Sequence, residues 1–263
     1  MIEFYKYQGA GNDFVIIDDR KAEFDEKNIE LINHLCDRHF GIGADGLMLL
    51  QNHDQYDFKM VYFNADGNES SMCGNGGRCI VAFAHFKNII ESTCTFLAID
   101  GGHKAEFISN ELVSLEMIDV IRIEKLGPSA CLLDTGSPHY VELRTGIESM
   151  DLISEARAIR YNARFAEKGV NVNFVEIIGG VLHIRTYERG VEDETLACGT
   201  GVTAAAIAMN HWGVMGNTIK VKAIGGYLEV SFDYSGENYS NIWKKGPVKQ
   251  VFHGKILMNA NRQ

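Results

Sequence analysis

Two cysteine turns carry the chemistry this sequence offers: Cys73-Gly74-Asn75-Gly76 and Cys198-Gly199-Thr200-Gly201. In each, a thiol stands ahead of glycines that open a small, apolar run, Gly76 to Phe86 and Gly201 to Trp212. That order predicts a strand-to-helix turn. Glycine lets backbone approach a ligand, and the free amides of a helix start bind anions such as a carboxylate. The same helix dipole favours thiolate over thiol. Two such thiols, one on each side of a carbon, suit proton removal from one face and delivery to the other, as racemisation requires. Without a cofactor to delocalise the carbanion, the N–H donors of the two turns would stabilise it through its carboxylate. No separate pyridoxal-phosphate signature is present.

The elements that hold the turns repeat. The two cysteines are 125 residues apart, close to half of 263. At the same offset Gly11-Asn12-Asp13-Phe14-Val15-Ile16 falls on Gly136-Ser137-Pro138-His139-Tyr140-Val141, and Gly46-Leu47-Met48-Leu49 on Asn171-Val172-Asn173-Phe174. Gly101-Gly102 falls on Gly225-Gly226 at an offset of 124, both pairs between short alternating segments as in a hairpin. Each half reads as strands, a helix (about Asn28 to Asp37; about Asp151 to Arg160), more strands (Asp57 to Phe63; Val181 to Tyr187) and the cysteine-headed helix. The second of these, Val202 to Met209, is apolar nearly all round, which predicts a buried central helix. The expected fold is therefore α+β. It has two pseudo-symmetric homologous halves, 1–118 with Cys73 and 119–263 with Cys198, each a mostly antiparallel sheet around one buried helix. The thiols would then face each other across a cleft between the halves.

Composition narrows the function classes. Hydrophobic residues make up 46% and charged residues 23%, enough apolar material for a core. The net charge is −10 with no basic run, against a nucleic-acid partner. No apolar window is long enough to span a membrane, and Met1-Ile2-Glu3-Phe4-Tyr5 does not open a signal peptide, so the expected compartment is the cytoplasm. Its reducing conditions keep the six cysteines as thiols; Cys36, Cys79, Cys94 and Cys131 have no counterpart in the other half and read as structural. No CxxC pair supports a metal site, and His34 to His39 lacks a second ligand cluster.

Six ordered motifs resemble those of the diaminopimelate epimerase family along nearly the whole chain. They are Gly11-Asn12-Asp13-Phe14-Val15, Gly41-Ile42-Gly43-Ala44-Asp45-Gly46, Phe63-Asn64-Ala65-Asp66-Gly67, Met72 to Cys79, Tyr187-Glu188-Arg189-Gly190 and Ala197-Cys198-Gly199-Thr200-Gly201. The resemblance implies interconversion of LL- and meso-2,6-diaminopimelate without pyridoxal phosphate, metal or other cofactor, in lysine and peptidoglycan-precursor synthesis. It implies Cys73 and Cys198 as the acid/base pair, with His139 and Glu188 adjusting the thiols. It also implies substrate contacts from Asn12, Asn64, Gly74, Asn75, Asn171, Glu188, Arg189, Gly199 and Thr200. A final strand, Phe252 to Met258, can return to the first half in this family. Three departures stand out: Ser137 where the family often has Asn, one extra residue between Glu188 and Cys198, and Gly46 where some members carry Gln. A homodimer is the expectation for a chain of this size and class. The competing readings are a proline or hydroxyproline racemase, a non-catalytic small-anion binder and a thiol-redox protein.

Overall fold

The computed structural model describes residues 1–70, 72–236 and 238–257. The chain forms two compact units: Met1–Leu115 joined by the segment from Pro247 onward, and Glu116–Gly246.

In the first unit, β1 (Ile2–Gly9) and β2 (Asn12–Asp18) form a hairpin. Its turn residues Ala10 and Gly11 both have positive φ, 53° and 95°, as a two-residue turn between twisted strands requires. β2 runs parallel to β3 (Gly46–Gln51), and the crossover carries α1 (Ile29–Cys36). Asn28 starts that helix, its side chain accepting the Leu31 N–H at 2.9 Å. β4 (Phe58–Asn64) returns antiparallel to β3 and runs parallel to β5 (Thr93–Ala98); this second crossover carries α2 (Gly74–Phe86). β6 (Gly101–Ser109) and β7 (Leu112–Met117) follow antiparallel.

The sheet is covered on both faces. Phe14, Ile16, Met48, Phe58 and Phe96 pack with Ile80 and Phe83 of α2. The alternate residues Val15, Ile17, Leu47 and Leu49 pack with Ile32 and Leu35 of α1. Double coverage explains why β2 and β3 read as continuous apolar runs rather than alternating ones.

The second unit repeats the order with β8 (Ile123–Lys125), β9 (Ala130–Asp134), β10 (Pro138–Leu143), α3 (Leu152–Arg160), β11 (Asn171–Ile178), β12 (Val181–Glu188), β13 (Asp193–Thr195), α4 (Gly199–His211), β14 (Thr218–Ala223), β15 (Gly226–Ser235) and β16 (Asn238–Pro247). The repeat returns as register. β2 and β3 set Phe14 opposite Gly46; β10 and β11, again parallel, set His139 opposite Asn171. Helix α4 is buried from Gly201 to Met209, as its all-round apolar sequence requires. Helix α3 covers the outer face with Leu152 and Ala156 against Val172, Phe174 and Tyr187. The last strand, β17 (Lys249–Ile256), pairs antiparallel with β1 of the first unit, Ile2 opposite Ile256. Met258, the expected end of that strand, lies outside the described residues.

Two local readings shift. The hairpins β5–β6 and β14–β15 pair Ala98 with Gly101 and Ala223 with Gly226. Both of these glycines have positive φ, 122° and 137°, so Gly101 is equivalent to Gly226 and the offset is 125 here too. The cysteine-headed helices begin at Gly74 and Gly199, two residues before the expected Gly76 and Gly201. No helix among the described residues is long and apolar enough to cross a membrane.

Candidate active site

Each motif thiol sits at the residue that starts its helix. Cys73 precedes α2 with φ −82° and ψ 126°, and Cys198 precedes α4 with φ −90° and ψ 113°. These are extended conformations, so the chain enters each helix from a strand-like approach. Neither thiol makes a capping hydrogen bond to its helix's amides. Burial pushes the thiols of Cys36, Cys79, Cys94 and Cys131 up to about 12, so those four stay protonated at neutral pH.

In the first unit the turn is anchored by a chain of polar contacts. Asn75 is fully buried; its Nδ2 donates to Asn12 Oδ1 at 2.6 Å, and Asn12 Nδ2 donates to Asp45 Oδ2 at 3.0 Å. Arg78, also fully buried, donates to Asn75 Oδ1 at 2.8 Å and to the carbonyls of Gly74 and Pro247 at 3.2 and 3.4 Å. Asp45 and Asp13 share Arg38, at 2.7 and 2.8 Å, and Asp13 also meets Lys6 at 2.8 Å. Burial alone would raise the Asp13 carboxyl, but Arg38 and Lys6 outweigh it and hold it at about 2. Both amides are thereby oriented: Asn12 and Asn75 each spend their side-chain oxygen on a protein donor. Asn64 lies at the exposed end of β4, opposite Gly46 and outside this hydrogen-bonded set. A Cβ on Gly46 would stand 2.5 Å from the Phe63 carbonyl and 2.6 Å from the Tyr62 ring, so the Gln of some relatives has no room here.

The second unit gathers Cys198, Thr200, His139, Glu188, Asn171 and Arg189. The Cys198 sulfur is 3.5 Å from Thr200 Oγ1, which lies 2.9 Å from His139 Nε2. On the other side of the ring, Asn173 Nδ2 is 3.1 Å from His139 Nδ1 and donates to the Tyr140 carbonyl at 2.9 Å. A carbonyl only accepts, so that atom of Asn173 is its amide nitrogen, and His139 Nδ1 accepts from it. The proton of the neutral ring then sits on Nε2 and is donated to Thr200, whose hydroxyl proton is left for the Cys198 sulfur. Asn173 Oδ1 is fixed in turn by the Thr186 hydroxyl at 2.9 Å. A Cβ on Gly201 would come within 2.5 Å of that same oxygen, so the helix start packs against the relay.

Burial, reinforced by the charge of Arg189, lowers His139 to about 3. In the unfolded chain a histidine titrates at about 6.5. Between these values the unfolded chain binds more protons, so stability falls as pH drops through that window, by about 1.4 kcal/mol per pH unit for this one site. Urea unfolding at about pH 7 and about pH 5 checks this: His139→Gln is expected to flatten the dependence by one proton, and equal slopes would count against a buried neutral ring.

Glu188 ends β12. Burial pushes its carboxyl up, while hydrogen bonds from Thr195 and Cys198 pull the other way. The Thr195 contact is 2.9 Å, and β13 holds it by folding back on β12 with Asp193 opposite Glu188. The longer loop therefore leaves Glu188 beside the thiol. Arg189 is pinned through its backbone N–H to Asn171 Oδ1 at 2.8 Å and through its guanidinium to the Lys168 carbonyl at 3.0 Å and Ser137 Oγ at 3.4 Å. Ser137 Oγ also accepts from Asn171 Nδ2 at 2.9 Å. Gly199 is the first residue of α4 and its carbonyl accepts from Thr203 at 3.2 Å.

Asn173, Thr195, Asp45 and Arg78 join the site without being marked in the sequence as its members. Asn173 was the most visible of them: it lies two residues from Asn171 in a strand, hence on the same face. The others depend on contacts between distant segments.

The family described as diaminopimelate epimerase matches residues 4–119 and 131–251. A diaminopimelate epimerase of Flavobacterium psychrophilum is 50% identical over 257 residues, covering 97% of this chain and all of the relative. One from Chlorobaculum tepidum is 41% identical, covering 95% of this chain and 99% of the relative. Among solved structures, a probable proline racemase from Agrobacterium radiobacter K84 superposes with a TM-score of 0.69 at 16% identity, covering 98% of this chain and 94% of that one. That likeness is one of fold. Full-length identity of this order, on a chain that also bears both cysteine turns, places it in the diaminopimelate epimerase family.

Proposed function

We propose that this protein, an amino-acid epimerase, interconverts LL- and meso-2,6-diaminopimelate by moving one α-proton between Cys73 and Cys198. One cysteine, as thiolate, takes the proton and becomes a thiol. The other, as thiol, returns its proton to the opposite face of the carbon and becomes a thiolate. The roles exchange for the reverse direction, and no electrons leave the system. The observation that carries this reading is the placement of both motif thiols at uncapped helix starts in equivalent positions of two homologous units.

The carbanion's charge spreads into its carboxylate. The N-terminal amides of α2 and α4, beginning at Gly74 and Gly199, are donors suited to hold it. Asn12, Asn64, Asn75, Asn171 and Thr200 bind the remaining polar groups of the reacting end, and Arg189 grips the remote carboxylate. Glu188, buried and hydrogen-bonded to Cys198, exchanges a proton with that thiol. His139 keeps its Nε2 proton on Thr200 and so directs the Thr200 hydroxyl at the sulfur. Two thiols that must stay reduced suit the cytoplasm, where lysine and peptidoglycan-precursor synthesis would use the product. A homodimer is the assembly expected of its class.

Proton NMR of the reduced protein with LL-diaminopimelate in deuterium oxide tests the proposal. Deuterium is expected at the α-position as the meso form appears. No exchange by the fully reduced protein would overturn the assignment, and exchange of proline instead would redirect it.

A further inference from the structure

We propose that Glu192 and Arg160 are positioning residues that set where Arg189 holds its guanidinium. The inference rests on the reading of Arg189 as the grip on the substrate's remote carboxylate. It begins with the length of a loop. Cys73 lies nine residues after Asn64, the end of β4, but Cys198 lies ten after Glu188, the end of β12. The extra residue is accommodated at Glu192, whose φ of 58° is a left-handed conformation that side-chain-bearing residues rarely adopt.

Its carboxylate is held by four donors. Oε1 accepts from the Gly190 N–H at 3.2 Å and from Arg160 Nη2 at 3.0 Å. Oε2 accepts from the hydroxyls of Tyr161 and Tyr187 at 2.9 and 3.1 Å. Its own N–H donates to the Glu188 carbonyl at 2.8 Å, closing the turn that carries Arg189. A loop tip with this many bonds is a built joint, not a spare residue.

Arg160, largely buried at the end of α3, extends the joint. Its other guanidinium nitrogen, Nη1, donates to the carbonyls of Phe165 and Ala166 at 3.3 and 3.4 Å, capping the turn that leads to Gly169. Gly169 has a φ of 74°, and a Cβ there would stand 2.5 Å from Arg189 Cδ and 3.0 Å from Arg160 Cζ. The two arginines thus press on the same backbone, and Arg189 also donates to the neighbouring Lys168 carbonyl at 3.0 Å. Glu192 fixes Arg160, Arg160 fixes the turn, and the turn fixes the stem of Arg189. A group that orients a binding residue acts on substrate affinity and leaves the proton transfer alone.

The test is steady-state epimerisation of diaminopimelate by the full chain carrying Glu192→Ala, Glu192→Gln or Arg160→Met, with Arg189→Ala as reference and a thermal melt for each. Glu192→Ala and Arg160→Met are expected to raise KM about tenfold with kcat within about twofold, the loss of one charge-assisted hydrogen bond. Glu192→Gln, which keeps an acceptor oxygen, is expected to recover KM to within about threefold of wild type. If Arg189→Ala raises KM while Glu192→Ala and Arg160→Met do not, the positioning role falls and the reading of Arg189 stands. If Arg189→Ala leaves KM unchanged, that reading fails and takes the inference with it. A fall in kcat that follows the melting temperature, with KM constant, would mean a structural role only and overturns the proposal.

Discussion

Cys73→Ala and Cys198→Ala are each expected to lower epimerisation by about 10³- to 10⁴-fold, the upper end of what one general acid or base contributes. The losses should be that large because no other thiol of the chain is ready to take either place. The four remaining cysteines stay protonated in the core, their thiols pushed up to about 12 by burial. Glu188 is hydrogen-bonded to the Cys198 thiol and in the proposed mechanism acts through that sulfur. The two variants should differ in what survives. A chain with one thiol can still remove a proton from one face and return deuterium to that same face. Exchange without inversion, on a different stereoisomer for each variant, is therefore expected by NMR in deuterium oxide. Either variant epimerising at the wild-type rate would remove the two-base mechanism.

Arg78→Ala is expected to cost about 3–5 kcal/mol of stability, as the loss of a large, fully buried, hydrogen-bonded side chain does. Arg78 is fully buried, and burial lowers its guanidinium pKa from the ordinary value. Its removal leaves the Gly74 and Pro247 carbonyls and Asn75 Oδ1 without that donor and opens a cavity between α2 and the segment before β17. Lysine offers a single point of attachment instead of a fork, so Arg78→Lys should recover only part of the loss. Guanidinium unfolding measures both, and a cost below about 1 kcal/mol for alanine would show that the buried fork is not what ties these segments together. Turnover should fall as well, because Asn75 Oδ1 loses its Arg78 donor.

The parts of this molecule legible in sequence are those set by local pattern. The offset of 125 residues between the cysteine turns predicted a register that the strands keep, with Phe14 opposite Gly46 and His139 opposite Asn171. The all-apolar stretch from Val202 to Met209 predicted a buried helix because no face of it could meet water. Reading the glycines as part of the turn puts the helix starts two residues late. In fact Gly74 and Gly199 lie inside the helices, where amide donors matter more than helix propensity. Local pattern marks at most the face on which a partner such as Asn173 stands, not the residue it meets. Asp45 reaches Asn12 from 33 positions away and Asn173 reaches His139 from 34. Such contacts exist only once the sheet is assembled.

The four α-helices among the described residues divide by how they begin. Asn28 and Asp151 cap α1 and α3 with side-chain oxygens, at 2.9 and 3.2 Å from the amides they satisfy. Cys73 and Cys198 give α2 and α4 no such bond. A proper cap is worth about 1 kcal/mol, so the fold forgoes it at both central helices. On the proposed function, the substrate's carboxylate would serve as the missing piece of architecture, and the protein would be a thermodynamic gauge of its own metabolite. A ligand bound only by the folded chain adds about 2.7 kcal/mol of stability at a hundred times its Kd. In a cell, the lifetime of this protein against proteolysis would rise and fall with the pool of the compound it consumes.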